Sequence, residues 1–418
     1  MNLYFRVLLQ GSLACALGAC AAAPPPSTEV PRQTAGGAER EVEVPRTVVT
    51  PNGASSIPEL LRDAASLAKA ERWAEAASAY ERAYTLEPDG ASADEALWGA
   101  ADAHDHANEL KRALARYELL AGRSPESAPG HDAMVRATRL LVFLGRFPPA
   151  GLYAERLLKK PELLSDFDRI AVFSARALAL LERGEEQQAS YFIEKGRDIV
   201  DLHQLDAAGR VPRDLAQLYY ALGESRRVRA ERVVFQPMPP NFGAVLEERC
   251  QLLLDAQSAY SDSMRAYDAH WSAMAGFRIA ELYQRLHQDL LAVQAPPSAD
   301  TERKRQLFDG AVRTRYAILL TKAKAMAEHT LSMADRTGEH SEWVDRTREA
   351  LKSIDQRIAD EEATLAKLPY TRQDFEAYLA QMEAAASGPS GASTTSTVKA
   401  PTKASGRAKP KSPSATQP

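Results

Sequence analysis

Long apolar runs are missing from this chain. Nowhere in its 418 residues do 18 apolar residues follow one another, so no segment reads as a membrane-spanning helix of the mature protein. Cysteine is scarce: three residues cannot build a disulfide framework. Neither sign of charge dominates, and a formal net charge of −4 excludes a chain-wide basic surface for nucleic acid. Aromatics amount to 7%, and β-branched alternation is nearly absent, which argues against a sheet. Apolar residues nonetheless make up 45% of the chain and charged ones 26%, near the norm, so a sizeable core forms and global disorder is excluded. The length allows two or three globular domains or one extended repeat array.

The two ends differ from the middle. Arg6 precedes an apolar stretch from Val7 to Ala19, the length of a signal h-region and too short to span a bilayer. It closes on Leu17-Gly18-Ala19-Cys20, which resembles the bacterial lipobox. The resemblance implies cleavage before Cys20 and a thioether-linked diacylglycerol on its thiol; the alternative is an ordinary secretory signal with an incidental cysteine. Ala21 rather than Asp follows Cys20, which by the sorting rule of enteric bacteria implies the outer membrane, on its periplasmic side. Several acyl chains, at about 0.8 kcal/mol per buried CH₂, make a firm anchor. Cys15 leaves with the signal, and Cys250 lies in a helical apolar pattern where packing is expected. Residues 20–56 are Pro/Ala/Thr/Glu-rich without helical period and read as a disordered tether. Residues 387–418 carry Lys399, Lys403, Arg407, Lys409 and Lys411 with no acid, a basic disordered tail. Losing Arg6 with residues 1–19 takes −4 to −5, and setting aside the tail's five cations leaves −10 on the folded body.

Between the ends, Ala, Leu, Glu and Arg dominate and apolar residues recur three and four apart, which predicts helices throughout. The pattern repeats. Ala76, Tyr80, Ala83 and Pro88 return as Ala113, Tyr117, Leu120 and Pro125, 37 residues later. Leu60, Ala64 and Leu67 precede the first set as Leu97 and Ala101 precede the second. This spacing resembles the tetratricopeptide repeat, a helix–turn–helix unit. The resemblance implies close helix contact at Ala64 and Ala76, with Tyr80 filling the space against the next unit. It fades over 131–164, where Ala154 replaces the tyrosine, and continues through Phe173, Ala177, Leu180, Ala189 and Ile193 to Tyr219-x₂-Leu222-Gly223. The expected fold is an all-α, tetratricopeptide-like helical-repeat solenoid with ordinary repeats over 57–210 and longer helices over 211–386. In the second part, Trp271–Tyr283 reads as a first helix and its partner runs from near Thr301 to about Arg336. Glu342–Lys367 follows with a heptad seam docking on one partner helix, and Arg372–Met382 ends the folded part.

The segment from Trp271, continued by KAKAMAEHTLSMADRTGEHSEW, resembles repeat proteins of the myxobacterial gliding-motility apparatus. That resemblance covers roughly 210–350, together with the lipobox and tether. It implies a repeat lipoprotein whose partners are other envelope proteins, an outer-membrane β-barrel and periplasmic subunits. Two other roles stay open: regulation of peptidoglycan synthesis, and outer-membrane protein assembly.

Catalytic patterns are thin. Ser66-x-x-Lys69 has a penicillin-binding spacing but lacks the companion elements, and no phosphate loop, His-Glu-x-x-His or Gly-x-Ser-x-Gly occurs. In His104-Asp105-His106 adjacent side chains diverge by some 100° on a helix, so a packed His104 and an outward His106 are expected rather than a metal site. The chain therefore reads as a non-enzyme that needs no cofactor or metal and takes neither small-molecule substrate nor nucleic acid. Stacked repeats leave a concave surface of first helices, which on this register carries Leu61, Glu95, Trp98, Asp102, Asp105, His106, Val135, Arg139 and Phe143. Glu95, Asp102 and Asp105 crowd one patch beside an aromatic, which favours a partner with basic side chains. Leu61, Trp98 and Val135 occupy the positions where chaperone-type repeats place lysine, which argues against capture of a peptide carboxylate.

Overall fold

The computed structural model describes residues 56–206, 212–239 and 241–386. The signal, Cys20, the tether and the basic tail lie outside them. The described residues form fourteen α-helices and no strand. Six consecutive hairpins come first: α1 (Ile57–Lys69) with α2 (Trp73–Leu86), α3 (Ala93–His106) with α4 (Leu110–Arg123), α5 (Ala128–Phe143) with α6 (Phe147–Leu157), α7 (Asp166–Glu182) with α8 (Glu186–His203), α9 (Ala216–Glu231) with α10 (Phe242–Met264), and α11 (Ala269–Leu291) with α12 (Glu302–Thr337). Then come α13 (Glu342–Lys367) and α14 (Arg372–Ala386).

Local chemistry makes the hairpins. The first four share one turn: two residues beyond the first helix, the backbone enters the left-handed region at Glu71, Asn108, Gly145 and Gly184. At each, the next residue's N–H reaches the carbonyl five back, Arg72 to Leu67, Glu109 to His104, Arg146 to Leu141 and Glu185 to Leu180. These are Schellman caps, which satisfy helix-end carbonyls and reverse the chain. They recur at intervals of 37, 37 and 39 residues, so the sequence repeat is also a backbone repeat. Only two of the four carry glycine, and Glu71 and Asn108 hold the same conformation without it.

Packing then builds the array. Within the six hairpins each odd-numbered helix touches its own partner and, where they exist, the even helix before it and the odd helices on either side. That is the stacking of a tetratricopeptide-like solenoid: odd helices form one layer, even helices the other. Ala64, Ala76, Ala113 and Ala150 are fully buried where helices cross. Tyr80 fills the gap to the next hairpin as expected, its ring lying where a Cβ on Gly99 would stand. One apolar core runs from Leu97 to Ile354, with two smaller clusters between the first hairpin and α3. The predicted long helices appear, and Thr301 caps α12 by accepting from the Lys304 N–H. Two expectations are corrected. The helix α13 packs on both α11 and α12, as an odd helix should, and buries Trp343, Val344, Thr347 and Ile354 while Leu351 and Ile358 stay half-exposed. The last helix extends to Ala386 and packs on α12, with Phe375 against Gly310. Among the described residues no helix is long and apolar enough to cross a membrane.

The repeat's small positions bear directly on stability. A Cβ on Gly223 would meet the fully buried Tyr260 ring at 2.5 Å. Gly223→Ala is therefore expected to destabilise by about 1–3 kcal/mol through overpacking, read as a lower urea midpoint; an unchanged midpoint refutes the close contact.

Candidate functional site: a cleft on the inner helix layer

The array does not stay open. The C-terminal end of α5 meets the N-terminal end of α11, although 127 residues separate them. The Phe143 and His270 rings stack at 3.5 Å and 13°, and Trp271 meets Phe143 edge-on. His270 Nε2 donates to the Phe143 carbonyl at 2.6 Å, and Nδ1 lies 3.2 Å from Glu339 in the α12–α13 turn. Trp343 closes over Gly145. The solenoid is thus a curl whose second and third hairpins reach its sixth and the turn after it. The reason is cumulative: stacked hairpins rotate slightly on one another, and successive rotations bring distant units together.

Two clefts flank this contact. One, of about 560 Å³, lies between the α3–α4 and α12–α13 turns and is lined by Asn108, Lys111, Arg112, Gly338 and Trp343 among others. The other, of about 480 Å³, opens on the odd-helix layer. Asp102, Asp105 and His106 enter it from α3, and Arg136, Arg139, Leu140 and Phe143 from α5. The turn before α9 adds Arg213 and Asp214, α9 adds Gln217, and α11 adds Trp271.

The predicted groove residues divide here. Asp102, Asp105, His106, Arg139 and Phe143 come together in the cleft wall. Trp98 stands one turn before Asp102 on α3, half-buried and edge-on to Tyr117 at 5.6 Å. Glu95 is exposed and outside the cleft lining. Leu61 and Val135, each 7% exposed, belong to the apolar core and not to an open surface. The first packs with Leu60 and Ala83 of the first hairpin and Ala96 of α3. The residue that does face the cleft beside Val135 is Arg136. Arg136, Arg213, Asp214 and Trp271 were not legible as site residues: the register shift on α5 is one position, and the other three arrive by the curl.

His104 is buried as expected, with Nδ1 2.7 Å from Glu109 and Nε2 3.2 Å from Glu81. His106 is exposed and stacks on Trp73 at 4.2 Å. The two rings therefore serve different neighbours, and among the described residues no group of three or more His, Cys, Asp or Glu is placed to hold a metal. Ser66 and Lys69 lie exposed on α1, and Cys250 packs half-buried against the core.

Electrostatics stiffen the wall. Arg139 donates to Asp168 at 2.8 Å and to Asp214 at 2.6 Å, tying α5 to α7 and to the turn before α9. Arg213 pairs with Asp268 at 2.7 Å. Burial raises the Asp105 carboxyl above the usual carboxylate range, against the pull of Arg136. Tyr117, fully buried beneath, has its ionisation pushed up by burial and then by the nearby Asp105 and Asp102 charges.

No protein-family model matches the chain, and no curated protein does. Among solved structures it is similar to a tetratricopeptide repeat protein from Parabacteroides merdae, at 12% identity over 71% of this chain and 98% of that one, with a TM-score of 0.37. It is also similar to two structures of a monomeric IFIT1 mutant, one with Gppp-AAAA and one, carrying a further substitution, with m7Gppp-AAAA. Each shares 14% identity over 78% of this chain and 71% of that one, with a TM-score of 0.40. The repeat assignment itself stands on the recurring turns and the odd–even packing.

Proposed function

We propose that this chain is a non-catalytic scaffold of the bacterial envelope, held by an acyl chain on Cys20 at the periplasmic side of the outer membrane. The tether supplies reach, and the inner helix layer holds another envelope polypeptide. The resemblance to gliding-motility repeat proteins makes the partners other subunits of such a machine, an outer-membrane β-barrel and periplasmic proteins among them. The observation that carries the binding part is the cleft: aromatic and ionisable side chains from four hairpins converge on one inward surface. Its walls are fixed by the Arg139 ion pairs and the Phe143–His270 stack. A rigid, concave, mixed polar and aromatic surface is what polypeptide recognition by stacked hairpins uses.

The test is site-specific photo-crosslinking in cells from Arg136 on the cleft, with Leu152, 62% exposed on α6, as the control position. Adducts to gliding-complex subunits are expected from Arg136 and not from Leu152, and Trp98→Ala should lower their yield. Equal adducts from both positions, or none from Arg136, sink the groove reading. A wall synthase or a barrel-assembly subunit as the crosslinked protein moves the chain to that process instead. In the same strains, Cys20→Ala is expected to shift the chain from the membrane to the soluble fraction; unchanged fractionation removes the anchor.

A further inference from the structure

Not every charged group in the inner cleft is engaged. The cations Arg139 and Arg213 are held by Asp168, Asp214 and Asp268. Among the described residues the Asp105 carboxylate has no hydrogen-bond or ion-pair partner, and Asp102 reaches only His106, at 3.8 Å. Beneath them the Tyr117 hydroxyl is buried, with no partner among the described residues. Arg136, exposed at the rim, is the one lining arginine outside these ion pairs. A desolvated carboxylate without a partner is an unfavourable arrangement, and a buried unpartnered hydroxyl adds to it. A cation entering the cleft relieves the first.

We infer that the cleft is a pocket for a cationic side chain of the bound polypeptide, and that arginine fits it best. Asp102 and Asp105 stand three residues apart on α3, neighbours on one helix face with Cβ atoms about 5–6 Å apart. A planar guanidinium with five donors bridges two such carboxylates, where an ammonium serves them as a point charge. Leu140, Phe143 and Trp271 offer apolar surface to the aliphatic stem. The volume of about 480 Å³ falls within the range of ligand clefts and exceeds what one side chain needs, so flanking backbone enters with it. Glu95, named with these acids on the sequence register, takes no part. This inference rests on the inner layer being the binding surface, and it names the chemistry that surface selects.

Affinity selection of a random-peptide library on the purified full chain tests it. Selected peptides are expected to be enriched in arginine at one position, with lysine second. Asp105→Asn and Asp102→Asn should each weaken a selected peptide by about tenfold or more, since each loses a charge-assisted bond. Arg136→Ala, which removes the rim cation, should tighten it. Free arginine amide at millimolar concentration should compete, separating side-chain recognition from contact with the peptide backbone. Selected peptides with no basic position, or binding that survives both aspartate substitutions in folded protein, overturn the arginine pocket while leaving the groove reading intact. Absence of any peptide binding, together with failed crosslinking from Arg136, instead fells the groove reading itself.

Discussion

Glu224→Leu should lower the stability of the folded array by about 3–5 kcal/mol, the largest single effect expected anywhere in the molecule. Glu224 is 4% exposed on α9 and holds together three helices. Its carboxylate pairs with Arg227 at 2.8 Å and Arg278 of α11 at 2.9 Å, and accepts from the Tyr260 hydroxyl of α10 at 2.6 Å. Burial alone pushes this carboxyl up, but the Arg278 and Arg227 charges and the bonds from Arg227 and Tyr260 outweigh it and hold the value at about 2. Leucine would leave two largely buried guanidinium groups sharing no carboxylate, each with only its outer partner, Glu231 for Arg227 and Glu281 for Arg278. The damage comes from buried cations that lose their central carboxylate, so adding Arg278→Met to Glu224→Leu should recover a large part of the loss. Urea unfolding of the single and double variants measures this. Additive losses in the double variant show that the network does not act as a unit. Because the folded value is depressed, the stabilisation is complete above the ordinary value of 4.5 and disappears as pH falls toward 2.

A second large effect lies at higher pH. His287 on α11 is 1% exposed, neither ring nitrogen has a partner among the described residues, and burial, then the Arg357 and Arg313 charges, lower its pKa from 6.5 to about 4. The folded protein keeps the ring neutral while the unfolded chain takes up a proton through this window. Stability is therefore full above about 6.5 and falls by roughly 3 kcal/mol on descending to 4. His287→Phe should remove this slope: little change in the urea midpoint at pH 7.5, and a midpoint above that of the parent chain at pH 5. If parent and variant lose stability in parallel between the two pH values, His287 is not the group responsible.

Much of the fold was readable residue by residue. Ala76 and Ala113, Tyr80 and Tyr117, marked two hairpins because a helix crossing demands a small residue and the gap beside it a large one, whatever lies elsewhere. Thr301 and the loop before it announced α12, since a capping hydroxyl acts on its own first turn. The turns at Glu71 and Asn108 escaped notice because neither is glycine; their left-handed backbone is imposed by the cap hydrogen bonds and by the packing of the hairpin. In the site, Asp102, Asp105, Arg139 and Phe143 were found because α3 and α5 each show one face inward. Val135 was assigned to that face in place of Arg136, where one residue of helix rotation decides between core and cleft.

The order of the helices, their lengths and their pairing into hairpins belong to the sequence alone, because helix period, caps and crossing alanines act over a few residues or between chain neighbours. The curl belongs to the tertiary structure. Small rotations between successive hairpins accumulate, no short motif encodes their sum, and only that sum sets His270 on Phe143, Trp343 on Gly145, and two aspartates of α3 opposite a tryptophan of α11.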